Sequence, residues 1–244
     1  MRKLTLVLLF LFVATTGFSL FGRREMFAGY AKGLQEPKVE RSNKAKRAFP
    51  TADINEAESV DSLEGRTKKE KQQRFDAWQF VWSKPESWVV ESVLSSEGYL
   101  DFPALPVNES DIILIATVSS SEAHISGNKK GVFSEFKLAV ESVLKSSQDF
   151  TRGSLLTVDR VGGYVKYPNG QQILFRVNGV NMPQVGARYL FFLSTRRKPD
   201  FIIRTAYELT PQGVLALDFS EQFLALDGIS ETEIQKRVRD LLTK

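Results

Sequence analysis

His124 is the single histidine of the chain, so any catalytic arrangement of serine, histidine and aspartate must use it. Hydroxyl groups precede it at Ser119, Ser120 and Ser121, and a carboxylate precedes it at Glu122. A zinc site built on His124 and Glu122 would need further ligands, because zinc sites normally take three or four. His124 lies in the polar stretch SSSEAHISGNKK, which is typical of a surface loop. We therefore expect a loop histidine, with catalysis at His124 as the alternative.

Three carboxylates, at Glu135, Glu141 and Asp159, raise a second chemical possibility. A glycosidase needs two Asp or Glu side chains inside one cleft. These three alternate with other residues of predicted strands, and Lys137 and Arg160 are their neighbours in sequence. Cross-strand ion pairs on a solvated sheet face are common in this setting. We expect such pairs here, with hydrolysis by a carboxylate pair as the alternative.

Two shorter motifs have simpler explanations. Gly162-Gly163 lacks the downstream Lys-Ser/Thr and helix of a phosphate-binding loop, so a tight turn between strands is expected. The basic triplet at 196–198 precedes a turn, and we expect a solvated hairpin tip there. The sequon at 108–110 matters only in a eukaryotic secretory route.

The composition excludes several kinds of chemistry. The chain has 0 Cys, which excludes a thiol nucleophile, an iron–sulfur cluster, a cysteine-based zinc site and disulfides. Its 33 Lys and Arg against 29 Asp and Glu give a net charge of +4. The N-terminal part supplies much of that excess, so the charge does not indicate the clustered basic face of a nucleic-acid binder.

The first residues have the pattern of a secretory signal peptide. Two basic residues precede an apolar run over 4–14, and small residues follow as far as Ser19. We predict cleavage after Ser19, which would remove residues 1–19, and a periplasmic or extracellular protein of a bacterium. The alternative is a protein anchored in the membrane by residues 4–20, a run at the short end of what a membrane-spanning helix needs.

The stretch between the signal and the body of the chain is predicted to hold a linker and then helices. Residues 20–66 are dense in charge and poor in apolar periodicity, which predicts a flexible tether that the fold does not need. Capping boxes at Thr67 and Ser83 predict helices within 67–98 that pack on the body, the second running through WVVESVL. The apolar anchors of these helices are Phe75, Trp78, Trp82 and Trp88.

From Asp111 onward apolar and polar residues alternate, which predicts strands. Turn residues separate them, and a capping box at Ser230 predicts a last helix over 229–244. The predicted strands cover 112–119, 132–144, 154–161, 163–167, 171–177, 188–194, 200–208 and 213–217. This pattern favours a mainly β fold, a small closed antiparallel barrel over 105–228 with flanking helices.

The order SDIILIATV, VFSEFKLAVESVLK, LLTVDRVGG and VGARYLFFL resembles the netrin-like or tissue-inhibitor-of-metalloproteinase-like barrel, a variant of the OB fold. The chain is also similar to a group of uncharacterised exported bacterial proteins. The residues that carry this second likeness are Leu105-Pro106, Ser110-Asp111, His124, Ser134-Glu135-Phe136, Val143-Leu144-Lys145 and Gly162-Gly163. The animal inhibitors use an N-terminal cysteine and disulfides, which this chain lacks, so the resemblance implies the OB-like barrel and not the inhibition.

These observations favour a non-enzymatic binding module of the cell envelope over an enzyme. Its expected partner is a protein, peptide or glycan, and no cofactor or metal is expected. Contact with a membrane is expected only if the N-terminal segment stays uncleaved. The alternatives are a hydrolase that uses His124 or a carboxylate pair, and an OB-type nucleic-acid binder, which would need aromatic and basic side chains on one barrel face.

Overall fold

A computed structural model describes residues 49–55, 63–76, 90–94, 100–197 and 200–243, and these residues form a mainly β structure. The strands are β1 (Thr51–Asp53), β2 (Val90–Leu94), β3 (Ile112–Ile125), β4 (Val132–Lys145), β5 (Leu155–Val161), β6 (Gly163–Lys166), β7 (Gln172–Val177), β8 (Arg188–Arg197), β9 (Asp200–Thr210) and β10 (Gly213–Ala216). The helices are α1 (Leu63–Arg74), α2 (Glu221–Leu224) and α3 (Glu231–Leu242).

The strands predicted from Asp111 onward are confirmed, most of them to within two residues at each end. The main difference is β3, which continues to Ile125 instead of ending at 119. Alternation is a local property of the chain, so it marks strands well before their partners are known.

The larger sheet has six strands in the order β10-β9-β5-β4-β3-β8. Its neighbours are antiparallel except β5 and β9, which run parallel over two residue pairs, Val158 with Phe201 and Asp159 with Ile202. β8 pairs with β3 on one side and with β9 on the other, so the sheet folds back on itself. Because the β5–β9 contact is so short, the structure is not a clean closed barrel.

The smaller sheet, in the order β1-β6-β7-β2, corrects the predicted helix through WVVESVL. Residues 90–94 form a strand that pairs in parallel with β7, from Val90 opposite Ile173 to Leu94 opposite Val177. Valine is β-branched and suits a strand, and β7 supplies backbone partners that a local capping pattern cannot reveal. A helical segment over all of 67–98 is therefore wrong.

The predicted linker over 20–66 is also wrong in part, because two of its pieces are built into the fold. β1 pairs in parallel with β6, and Ala52 is buried. The amide of Tyr164 donates to the carbonyl of Pro50 over 2.8 Å, and the ring of Phe49 meets that of Tyr164 edge to face. α1 begins at Leu63, so Thr67 lies inside the helix and not at its start.

The capping motif at the C-terminal end is confirmed. Ser230 is the N-cap of α3, and its side chain accepts a hydrogen bond from the amide of Glu233 over 3.1 Å. Ile234 and Val238 of α3 are buried, whereas Leu241 is 39% exposed. Trp78, Trp82, Trp88 and the predicted signal peptide lie outside the described residues.

Two buried clusters lie on opposite sides of the six-strand sheet. Tyr189, Phe191 and Leu193 belong to the first, and all three are 0% exposed. Leu190 and Phe192, on the other side of β8, are equally buried in the second cluster. The second cluster also contains Phe223 of α2 and Ile234 and Val238 of α3. The helices therefore bury the second face of strands that alternation alone would leave in water.

Candidate functional site

His124 lies in a strand and is buried, which corrects the predicted surface loop. It sits opposite Phe133 in the β3–β4 hairpin, with the two rings 5.3 Å apart, and it is 6% exposed. Its Nδ1 is 3.9 Å from Oε1 of Glu122. The polar composition of SSSEAH led to the prediction of a loop. In the structure this stretch continues β3 and pairs with β4 through its backbone.

Two serines near His124 donate hydrogen bonds to backbone carbonyls. The hydroxyl of Ser119 donates to the carbonyl of Lys137 over 2.8 Å. The hydroxyl of Ser134, the cross-strand partner of Ala123, donates to the carbonyl of Gly162 over 2.7 Å. Both contacts tie neighbouring strands together.

Glu135 and Asp159 face each other directly across β4 and β5, and we call them the acidic pair. The Nζ of Lys71, from α1, lies 2.5 Å from Oε2 of Glu135 and 2.7 Å from Oδ1 of Asp159. Asp159 is only 2% exposed, so the predicted solvated face with Lys137 and Arg160 as partners is wrong at this position. Burial raises the pKa of Asp159 to about 6 even though Lys71 opposes the change.

Glu141 belongs to a separate network that docks α3. It accepts hydrogen bonds from the hydroxyl of Thr117 and from Nε of Arg188, at 2.8 and 2.6 Å. Burial alone would raise the pKa of Glu141, but these two donors outweigh it and hold the pKa below its usual value. The same guanidinium makes a two-pronged contact with Glu231 in the first turn of α3, at 2.6 and 2.9 Å. Cross-strand pairing was expected for Glu141, and it extends here to a helix.

Arg160 and Asp218 form an ion pair in which both side chains are fully buried, a feature that sequence reasoning missed. Asp218 also accepts from the backbone amide of Asn181 over 3.2 Å. Arg160 is two residues from the buried Val158 on the same strand, and that shared face was the available signal. The basic type of the residue led instead to a surface assignment.

Gly162 and Gly163 form the tight link between β5 and β6, as predicted. Their φ angles are 115° and 151°, a backbone conformation that residues with a side chain rarely adopt. A Cβ at Gly162 would lie 2.8 Å from Cε of Met182 and 2.9 Å from the carbonyl oxygen of Phe175. The motif is structural. In the basic triplet at 196–198, Arg197 pairs with Asp200 between β8 and β9, and Lys198 lies outside the described residues.

A groove of about 350 Å³ opens between the loop over 103–109 and the second half of α3. Its lining is mostly apolar, with one cation and one anion. The lining residues are Pro103, Ala104, Leu105, Val107, Asn108, Glu109, Leu226, Arg237 and Leu241. This groove cannot be recognised from the sequence, because its walls come from segments more than 100 residues apart.

Hydrogen bonds to its backbone hold the loop side of the groove in place. The hydroxyl of Tyr207 donates to the carbonyl of Ala104 over 2.6 Å. The Nζ of Lys145 donates to the carbonyls of Val107 and Ser110, both over 2.7 Å. With these carbonyls satisfied by the framework, the apolar side chains of the loop are left to line the groove.

The two charged side chains that line the groove differ in their ionic contacts. Nε of Arg237 donates to Oε1 of Glu233, one helical turn earlier, over 2.7 Å, and the side chain stays 46% exposed. Glu109 is exposed and makes no ion pair within the described part of the chain. Both charged groups can therefore meet a ligand.

No group of three or more His, Cys, Asp or Glu side chains is placed to hold a metal ion in the part of the chain that the structure describes. Among the helices of that part, none is long and apolar enough to cross a membrane. No protein-family model matches this chain, and no curated protein matches it either.

Proposed function

We propose that this protein is a non-enzymatic binding module of the bacterial cell envelope whose groove takes an extended peptide segment of a partner protein. The observation that carries the proposal is the preformed apolar groove between the loop over 103–109 and α3. Binding sites for small segments are typically concave, mostly apolar and held by a rigid framework, with a few polar groups that orient the ligand.

The charges of the groove specify the occupant further. Arg237 attracts an acidic side chain of the peptide, and Glu109 attracts a basic one. Between them, Leu241 and Leu226 offer apolar contact. The occupant is therefore an apolar stretch bounded by one acidic and one basic residue.

An OB-like barrel related to the netrin-like modules is part of the proposal. Its support is the order of pairing: β3, β4 and β5 form a meander, β5 meets β9 in parallel, and β8 joins β9 back to β3. A five-stranded Greek-key barrel has this arrangement. Export is supported by the N-terminal pattern alone, and mass spectrometry of the exported chain tests cleavage after Ser19.

A hydrolase receives less support from the positions of its candidate residues. The acidic pair shares one lysine, and that contact fixes α1 on the sheet. His124 packs on Phe133, and the hydroxyl of Ser119 donates to a backbone carbonyl. Each of these candidate residues therefore makes a contact that stabilises the fold.

The test measures binding of fluorescent peptides to the full chain by anisotropy. The panel holds short apolar peptides flanked by Lys and Asp, by two neutral residues or by two acidic residues. We expect the peptide with both charges to bind best. Leu241→Asp should weaken its binding by about tenfold or more, because burying one leucine contributes about 1.5–3 kcal/mol and 1.4 kcal/mol is tenfold.

The matched control is Leu155→Asp, which changes a leucine that is 66% exposed and does not line the groove. It should leave binding unchanged. In addition, Glu109→Lys should reverse the preference, so that the peptide with two acidic residues binds better than the one with Lys and Asp. Equal binding of all peptides, or equal losses in the two leucine variants, would contradict the proposal. Peptide cleavage that His124→Ala abolishes would favour the hydrolase.

A further inference from the structure

Residues 63–76, which are α1 and the two residues after it, pack on β4 and β5, and we call them the strap. Its polar contact with β4 and β5 is made by the ammonium of Lys71, which lies between the two carboxylates of the acidic pair. Its apolar contact is Phe75, whose ring stacks on that of Phe133 with centroids 4.0 Å apart and an interplanar angle of 6°. Both Phe75 and Phe133 are buried.

The strap also holds the turn of the β3–β4 hairpin. The amide of Asn128 donates to Oδ1 of Asp76 over 2.7 Å, and its side-chain amide donates to the carbonyl of Asp76 over 2.9 Å. The amide of Gly127 donates to the carbonyl of Gln72 over 3.2 Å. The strap is thus also held by hydrogen bonds that involve neither carboxylate of the acidic pair.

Asp159 is the buried member of the acidic pair, and few charges face it. From the strap, Lys71 and Arg74 favour its ionised form. From β4, Glu135 disfavours that form. The neighbour on β9 is Ile202, which carries no charge. Burial is the largest influence, and it raises the pKa of Asp159 to about 6 despite the two cations.

We propose that the strap is a pH-dependent closure that grips β4 and β5 more tightly as the surrounding medium becomes acidic. The proposal does not rest on peptide binding, since the strap shares no residue with the groove. The chemistry is a single proton on Asp159, taken from water, which removes a buried negative charge while Lys71 keeps its contact with Glu135.

The direction follows from proton linkage between the closed and the lifted strap. Lifting the strap returns Asp159 to water and removes Lys71, so its pKa falls towards the ordinary value of 3.8. The closed form therefore binds this proton more tightly than the lifted form. Closure is strongest below the lower pKa and weakens as the pH rises through about 6.

Lifting the strap has a defined consequence for the surface. It uncovers the ring of Phe133 together with both carboxylates of the acidic pair, which the strap now covers. The strap thus controls access to a patch that is apolar on one side and acidic on the other.

The test is hydrogen exchange of the full chain, followed by mass spectrometry and expressed as protection factors so that the intrinsic effect of pH is removed. Protection of the amides of 63–76 should rise about tenfold between about pH 7.5 and about pH 5. Protection of α3 should stay constant and serves as the internal reference. Unchanged or falling protection of the strap on acidification would overturn the proposal.

Two substitutions assign the effect to the acidic pair. Asp159→Asn removes the titrating group, so the strap should be protected equally at both pH values. Glu135→Gln removes the neighbour that raises the pKa of Asp159, so the rise in protection should move to lower pH. Full pH dependence in Asp159→Asn would show that another group is responsible. Because Glu135→Gln keeps the buried carboxyl, it preserves the test if Asp159→Asn fails to fold.

A disulfide lock supplies the matched control for strap movement. A Cβ built on Gly127 would lie 3.2 Å from Cγ of Gln73 and 3.1 Å from Oδ2 of Asp76, so a disulfide between positions 73 and 127 requires a small shift of the Asp76 side chain. The chain has no cysteine of its own, so a Gln73→Cys and Gly127→Cys double variant holds the only two thiols. When oxidised it should show high protection at both pH values, and when reduced it should regain the dependence. Persistent pH dependence in the oxidised form would contradict strap lifting.

Discussion

At the scale of single residues, the most consequential feature is the ion pair of Arg160 and Asp218. Both side chains are fully buried. Replacing such a pair by apolar residues is often tolerated, whereas removing one partner leaves a buried charge without compensation. The pair joins β5 to the segment that follows β10, so its loss would affect the connection between distant parts of the sheet.

We predict that Asp218→Ala lowers the free energy of unfolding by about 3–5 kcal/mol, because Arg160 then stays charged in an apolar setting. The double variant Arg160→Met with Asp218→Leu should be more stable than Asp218→Ala alone. Urea unfolding of the full chain measures both.

The control is Asp149→Ala, which removes an exposed carboxylate and should change stability by less than about 0.5 kcal/mol. If Asp218→Ala matched this control, the pair would have no part in stability.

At the scale of elements, β8 is a strand with both faces buried, as is the first part of β3. Phe191 faces the cluster that contains Tyr189 and Leu193, and Phe192 faces the cluster that contains Ile234 of α3. Both phenylalanines are 0% exposed. By contrast, β5 begins with the exposed Leu155, and its inward face starts at the next residue.

We predict that Phe191→Ala and Phe192→Ala each cost about 3–5 kcal/mol, because each removes a buried ring and leaves a cavity. Their free energies of unfolding, measured in urea, should be similar. Leu155→Ala should change stability by less than about 0.5 kcal/mol. A tolerated Phe192→Ala would mean that the helices do not cover the second face of β8.

At the scale of the whole molecule, the chain divides into a unit over 1–46 and a unit over 47–244, and every described residue belongs to the second. The second unit includes β1, which pairs with β6. The residues of β1 belong to the stretch that was predicted to be a dispensable linker. The boundary of what the fold needs therefore lies closer to the N-terminus than Gly65.

We predict that a chain beginning at residue 47 keeps the melting temperature of the chain beginning at residue 20. A chain beginning at residue 56 lacks β1, together with the contact of Phe49 with Tyr164. It should lose about 1–2 kcal/mol, because burial of a small side chain and one aromatic pair contribute about that much. This corresponds to about 2–8 °C in a thermal unfolding scan. Equal melting temperatures of the two shorter chains would show that β1 is dispensable after all.

Local physics explains how much of the fold the sequence could predict. Alternation located β3 to β10 because side chains of a strand point to opposite faces whatever its partner is. The cap at Ser230 and the tight turn at Gly162 were equally predictable, since each depends on a few consecutive residues. The candidate site was less predictable: the surroundings of His124 and of the carboxylates differ from those expected, and the groove depends on segments that are distant in the sequence.

Only the tertiary structure decided what these residues contact, because their partners are far away in the chain. Lys71 meets Glu135 across 64 positions, and Arg160 meets Asp218 across 58. Burial of Asp159 and the pairing of residues 90–94 with β7 likewise arise from packing. The sequence by itself determined strands, turns and caps, since these follow from neighbouring residues. The groove, the strap and the charged contacts required the fold, because long-range packing sets both distance and burial.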